Sequence, residues 1–116
     1  MSITRHEPGK RMSQAVVHGN TVYLAGQVAA DYNGTIEKQT SEVLEAVDRL
    51  LAVAGTSKSK LLSVQVVLNN IADFAAMNTV YDAWIDPANP PTRACIEARL
   101  AHPSLKVEVI AVAALD

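Results

Sequence analysis

Lys106-Val107-Glu108-Val109-Ile110-Ala111-Val112-Ala113-Ala114-Leu115 reads as a strand that is apolar on both faces. The two-residue period puts Val107, Val109, Ala111 and Ala113 on one face, and Ile110, Val112 and Ala114 on the other. Strands buried on both sides read as such continuous apolar runs. Glu108 is the single polar interruption. A lone acid on such a strand costs roughly several kcal/mol unless it is paired or faces a ligand. Two roles stay open for it: partner of an arginine, with Arg93 as candidate, or working carboxylate in a cleft.

Working outward, the preceding strand is predicted over Arg93 to Leu100. Pro90-Pro91 stands before it, and proline rings fix φ and extend the residues before them. Arg93, Cys95, Glu97 and Arg99 share one face; Ala94, Ile96, Ala98 and Leu100 share the other. A stiffly held arginine suits a carboxylate, because its planar fork donates two parallel hydrogen bonds. A surface arginine at a strand end is the plainer reading, and the spacing alone leaves both open. Cys95 is a nucleophile if Arg93 lowers its pKa, and otherwise a small thiol beside the site.

Further upstream, Met12–Val17 and Thr21–Ala25 read as strands joined by a His18-Gly19-Asn20 hairpin. Thr40 or Ser41 is expected to cap a helix whose stripe is Val43, Leu44, Val47, Leu50, Leu51 and Ala54. Glu42 and Glu45 fall in its early turns, near the positive end of the macrodipole, and Gly55 closes it. Leu61–Leu68 is a β-branched-rich strand. Asn69-Asn70 can cap a second helix over Ile71–Ile85, with Phe74, Met77, Val80 or Tyr81, and Trp84 on its buried side. The order is β-β-α-β-α-β-β in one domain spanning 1–116. That describes an α/β (α+β) chain, a mixed sheet with two helices packed on one face. Two helices cannot also cover the second face of the last strand. Self-association is therefore expected, closed homo-oligomers being the common solution.

The 116 residues are 49% apolar and 19% charged, with net charge −2. That balance disfavours nucleic acid as a partner, since phosphate binding wants clustered Lys and Arg. Cys95 is the only cysteine, so no internal disulfide forms. With no signal-like or membrane-length apolar run, a cytoplasmic protein with no membrane partner is expected. Gly55-Thr56-Ser57-Lys58 lacks phosphate-loop spacing. His6, His18 and His102 are scattered, so no metal site is expected.

Several blocks together resemble the Rid/YjgF family of enamine/imine deaminases, in its YoaB-like branch. They are Ser13-Gln14-Ala15, Gly19-Asn20, Ala25-Gly26-Gln27, Asp73-Phe74-Ala75-Ala76-Met77-Asn78, Pro91-Thr92-Arg93-Ala94-Cys95-Ile96-Glu97-Ala98 and Lys106-Val107-Glu108-Val109. The resemblance implies a chorismate-mutase-like domain assembled as a homotrimer, with clefts between subunits. It implies that Arg93 grips a substrate carboxylate and that Glu108 positions the hydrolytic water. It also places Met12, Ala25, Gly26, Cys95 and Asn78 at the pocket, where Met12 and Ala25 replace a tyrosine and a serine of the archetype. The implied activity is hydrolysis of 2-imino and enamino acids to 2-keto acids and ammonia. No metal or cofactor is needed, because an imine carbon is already electrophilic. The alternative is a non-catalytic trimer that binds small carboxylates. Chorismate-mutase-like isomerisation would need more cationic groups than Arg93 with Arg11 or Arg99 provides.

Overall fold

One mixed sheet carries both helices on the same side. The computed structural model describes residues 2–116. Its elements are β1 (Ile3–Pro8), β2 (Ser13–His18), β3 (Thr21–Leu24), β4 (Gln27–Val28), α1 (Ile36–Ala54), β5 (Leu61–Leu68), α2 (Phe74–Trp84), β6 (Thr92–Glu97) and β7 (Val107–Ala114). The sheet runs β1-β2-β3-β7-β5-β6, with β4 also pairing β7. β5 and β6 are parallel, and every other pair is antiparallel. This is the chorismate-mutase-like α+β arrangement.

Every element expected from the sequence is present in the expected order, and two strands are added. β1 arises from the polar Ile3-Thr4-Arg5-His6-Glu7-Pro8, an edge strand with no apolar alternation to reveal it. β4 is two residues long, below the reach of any periodicity. The β2–β3 hairpin turns through Gly19 at φ 61°, the first of two central positions, as a type II′ turn requires.

The helix boundaries shift. Thr35, not Thr40 or Ser41, caps α1: its hydroxyl oxygen accepts from Lys38 N at 3.1 Å. Thr40 is buried a turn inside, with its hydroxyl donating to Ile36 O at 2.7 Å. The apolar stripe hides this start because the buried positions just before Val43 are Gln39 and Thr40, both polar. Glu37, not Glu42 or Glu45, is the acid of the first turn. Gly55 ends α1 at φ 93°. Asn70 does cap, but its side chain accepts from Ala72 N in a 3-10 turn over Ile71–Asp73, and α2 begins only at Phe74. Met77 and Tyr81 are buried on α2, whereas Phe74 is 41% exposed. β6 stops at Glu97 instead of Leu100, because its partner β5 ends at Leu68, the residue opposite Glu97.

The β7 register explains the two-faced apolar run. Val107, Val109, Ala111 and Ala113 are at most 1% exposed, beneath the helices. Ile110, Val112 and Ala114 point the other way and are half-buried. Residues paired in register share a face, so Val16–Tyr23–Val112 and Ile110–Gln65–Ala94 cross that second side. The molecule is 19 Å thick, enough for one sheet and one helix layer at about 10 Å each. Among the described residues, no further layer lies over the second face, where Tyr23 and Ile96 are exposed. Among the described residues, no helix is long and apolar enough to cross a membrane.

Candidate functional site

Arg93 stands near the start of the edge strand β6, opposite Val64 of β5. Val64 belongs to the core, so Arg93 leaves the sheet on the helix side. Its Nη1 donates to Asn78 Oδ1 at 2.7 Å. Its guanidinium lies 4.7 Å from the centre of the Tyr81 ring and 5.8 Å from that of Phe74. Phe74, Asn78 and Tyr81 follow one another along one stripe of α2, at the i, i+4, i+7 spacing of a helix face. The arginine lies across that stripe. Among the described residues, no carboxylate comes within 4.0 Å of it.

Glu108 occupies the opposite face. Its neighbours Val107 and Val109 point into the core, so the Glu108 side chain points away from the helices. It is opposite Val28 of β4 and Val67 of β5. Its carboxylate lies directly against Gly26. A Cβ at Gly26 would overlap Oε2 and sit 2.9 Å from Cδ and 3.2 Å from Cγ. Gly26 has no positive φ, so a glycine stands here for space and not for backbone conformation. Among the described residues, Glu108 has no ion-pair partner.

Arg93 and Glu108 therefore do not meet within one chain. β5 separates their strands, which puts about 10 Å between them across the sheet. Arg93 is level with Val64 and Ala111, and Glu108 lies three residues along β7 from Ala111. They also emerge from opposite faces. The open reading in which Arg93 is the structural partner of Glu108 fails on this geometry within the protomer.

The remaining expected pocket residues divide between the two. Asn78 contacts Arg93 directly. Cys95 shares the helix face with Arg93 and packs partly against the core. Burial pushes its thiol up, with the Arg93 charge opposing weakly. That direction disfavours the thiolate, the form a nucleophilic cysteine needs. Ala25 and Gly26 lie on the Glu108 side of the chain, in the stretch joining β3 to β4. Ala25 N donates to Gln14 O at 2.9 Å, and the Gln27 amide donates to both Gln14 Oε1 and Ala25 O. These bonds fix the kink that carries Gly26 under Glu108. Met12 is exposed before β2, remote in the fold from Arg93.

Sequence reasoning missed two supports. Tyr81 reads as core, which it is, and only its place under Arg93 shows that it also supports the guanidinium. Gln39 is fully buried and donates to the carbonyls of Gly34 and Ser104 at 3.1 Å and of Tyr32 at 3.4 Å. Its Oε1 accepts from Lys106 N at 2.9 Å. It thus ties down the chain entering β7, two residues before Glu108. A polar residue inside an apolar stripe was the available signal.

A shallow cleft of about 330 Å³ opens on the uncovered face, lined by Ser63, Gln65, Thr92, Ala94, Ile110 and Val112, with Arg93 at its rim. A larger one of about 520 Å³ lies between β4 and α1. Its Arg49 is already neutralised by Glu7, at 2.6 Å. Asp31 is paired with Lys38 at 3.2 Å, and Glu42 and Glu45 leave that cleft acidic, unsuited to an anionic guest. Among the described residues, no three His, Cys, Asp or Glu side chains converge to hold a metal ion.

A family model described as endoribonuclease L-PSP matches residues 3–115. A RutC family protein of Haemophilus ducreyi is 42% identical over 98% of this chain and 97% of its own length. The RutC family protein YoaB of Escherichia coli is 36% identical over 99% of this chain and its full length. The crystal structure of a YjgF family member from Neisseria meningitidis superposes with a TM-score of 0.97 at 37% identity, covering 100% of this chain and 97% of that one.

Proposed function

The chain belongs to the endoribonuclease L-PSP family, also called YjgF, Rid or RutC, and from that premise we propose that it hydrolyses 2-imino and enamino acids to 2-keto acids and ammonia. The observation that carries the reading is the state of Arg93. It is oriented by neutral groups only, an amide oxygen and aromatic rings, so its full charge is left for a small carboxylate.

The chemistry follows from that grip. Arg93 holds the substrate carboxylate and so fixes the neighbouring imine carbon. A water positioned by Glu108 attacks that carbon while the carboxylate accepts its proton. The C=N π electrons pass to nitrogen, which takes up a proton. The resulting carbinolamine then collapses: its hydroxyl gives up a proton to the Glu108 carboxylate, the amine nitrogen takes up a proton, the C–N bond breaks, ammonia leaves and the keto group forms. Holding both reactants in place provides most of the acceleration.

Arg93 and Glu108 lie on opposite faces of one sheet, so a cleft using both takes them from different copies of the chain. The uncovered apolar face supports the same conclusion, since a second copy would cover it. A homotrimer fits both requirements. The second reading is a trimer that binds small carboxylates without turning them over. It is favoured by Ala25 and Met12, which bring no hydroxyl to the pocket. The formal charge of −2 counts against RNA as substrate, since phosphate binding wants clustered cations.

The test is to generate 2-iminopropionate and a longer-chain 2-imino acid in situ and follow their decay. The wild type should accelerate decay, and Arg93→Ala and Glu108→Gln should abolish the acceleration. Carboxylate binding by calorimetry with no acceleration for any imino acid would establish the binding protein instead.

A further inference from the structure

We propose that Tyr81 is a positioning residue for Arg93: its ring is the rigid floor that decides which edge of the guanidinium faces the guest. This rests on the carboxylate-clamp reading above and deepens it.

Arg93 is exposed on an edge strand, where a long side chain would ordinarily sample many rotamers. An arginine that must first be immobilised makes a poor clamp, because the ordering cost is then charged to each binding event. Here two supports act together. Asn78 Oδ1 takes one donor of the fork at 2.7 Å. The Tyr81 ring lies beneath the guanidinium carbon at 4.7 Å, within the roughly 6 Å range of a cation–π contact. Tyr81 is 6% exposed, so the floor itself does not move. Phe74 lies further off at 5.8 Å and is 41% exposed, which makes it the weaker support.

The choice of neutral supports has a consequence. Aspartate or glutamate at position 78 would hold the arginine more strongly, but it would compete with the substrate carboxylate for the same donors. An amide and an aromatic ring orient the cation without neutralising it. Burial pushes the Tyr81 hydroxyl above its usual range, against the opposing influence of Arg93. The arginine therefore faces a neutral ring and not a phenolate. With one donor on Asn78 and one face on Tyr81, the edge away from Asn78 is left for bidentate binding.

The experiment compares wild type, Tyr81→Phe and Tyr81→Leu in three measurements. Nitrogen-15 NMR of the arginine side chains reads whether Arg93 is held. Calorimetry with 2-oxobutyrate, a non-reacting carboxylate, reads the clamp. Thermal unfolding checks the fold. In wild type, the Arg93 Nε–H should be shifted by the ring current, and its Nη signals should be resolved by hindered rotation. Tyr81→Phe keeps these signals and binds 2-oxobutyrate within about twofold of wild type, since the ring is retained. Tyr81→Leu keeps its fold, averages the Nη signals and weakens binding by about fivefold or more.

Wild-type signals and affinity in a folded Tyr81→Leu would overturn the proposal. If that variant fails to fold, an averaged and unshifted Arg93 in wild type would overturn it alone. A held, ring-shifted Arg93 in a wild type that binds no carboxylate would support the Tyr81 floor and refute the clamp.

Discussion

Gly26→Ala should strip activity while leaving the fold intact. The new methyl would overlap Glu108 Oε2 and sit 2.9 Å from Cδ. Ordinary carbon contacts are about 3.5–4.0 Å, so the carboxyl carbon must retreat by roughly 0.6–1 Å. A side chain can make that movement by rotamer adjustment, and Gly26 has no positive φ to be strained by alanine. The stability change should then stay within about 1 kcal/mol, partly offset by the loss of glycine freedom in the unfolded chain. Catalysis is less forgiving, because a displacement of about 1 Å at a reacting group can cost 10²-fold. The assay is the decay of an in situ 2-imino acid, read beside thermal unfolding. A loss of about 10²-fold in kcat, with Tm held, is expected. In a Glu108→Gln background the same change should add little, since both act on one carboxylate. Wild-type turnover by a folded Gly26→Ala would show that the resting position of Glu108 is irrelevant to the reaction.

Three further outcomes follow from other contacts. Gln39→Leu removes the buried amide serving three carbonyls and one N–H; it should lower stability by about 3 kcal/mol and Tm by about 10 °C or more, and an unchanged Tm would contradict the role of Gln39 in holding the chain that enters β7. Cys95→Ser should keep turnover within about threefold, and the burial-raised thiol should alkylate more slowly at pH 7 than a free cysteine; rapid labelling that abolishes turnover would contradict this. Arg49 holds the Glu7 carboxyl below its ordinary 4.5, so the pair stabilises the fold above that pH and its contribution disappears as pH falls through the lower folded value. Both groups are well exposed, so the effect is small: urea midpoints of wild type and Arg49→Met should differ at pH 7 and converge in acid, and a gap that widens in acid would reverse the sign.

Much of the architecture was legible because its signals are periodic. The α1 stripe ended by Gly55, the β2–β3 hairpin and the double-sided β7 all follow from spacing. β1 was illegible for a physical reason: an edge strand contacts little of the core, so its sequence need not alternate. The start of α1 was hidden because Gln39 and Thr40 satisfy their own polar groups inside the protein, which no apolar pattern announces. Glu108 stood out as the one polar residue on an apolar strand, and Arg93 as an arginine held just after a diproline. Their relation did not, since only the sheet order and the core partners Val64 and Val109 show that they leave by opposite faces. Tyr81 was legible as core and illegible as support, because its ring serves both roles at once.

The proposed mechanism requires Arg93 of one copy and Glu108 of another to share a cleft. Mixing and reassembling two inactive variants, Arg93→Ala and Glu108→Gln, measures this directly. At equal proportions, about one quarter of the clefts should receive both native groups, and imine hydrolysis should reappear at that fraction of wild type. Reassembled mixed oligomers with no recovered activity would contradict the account.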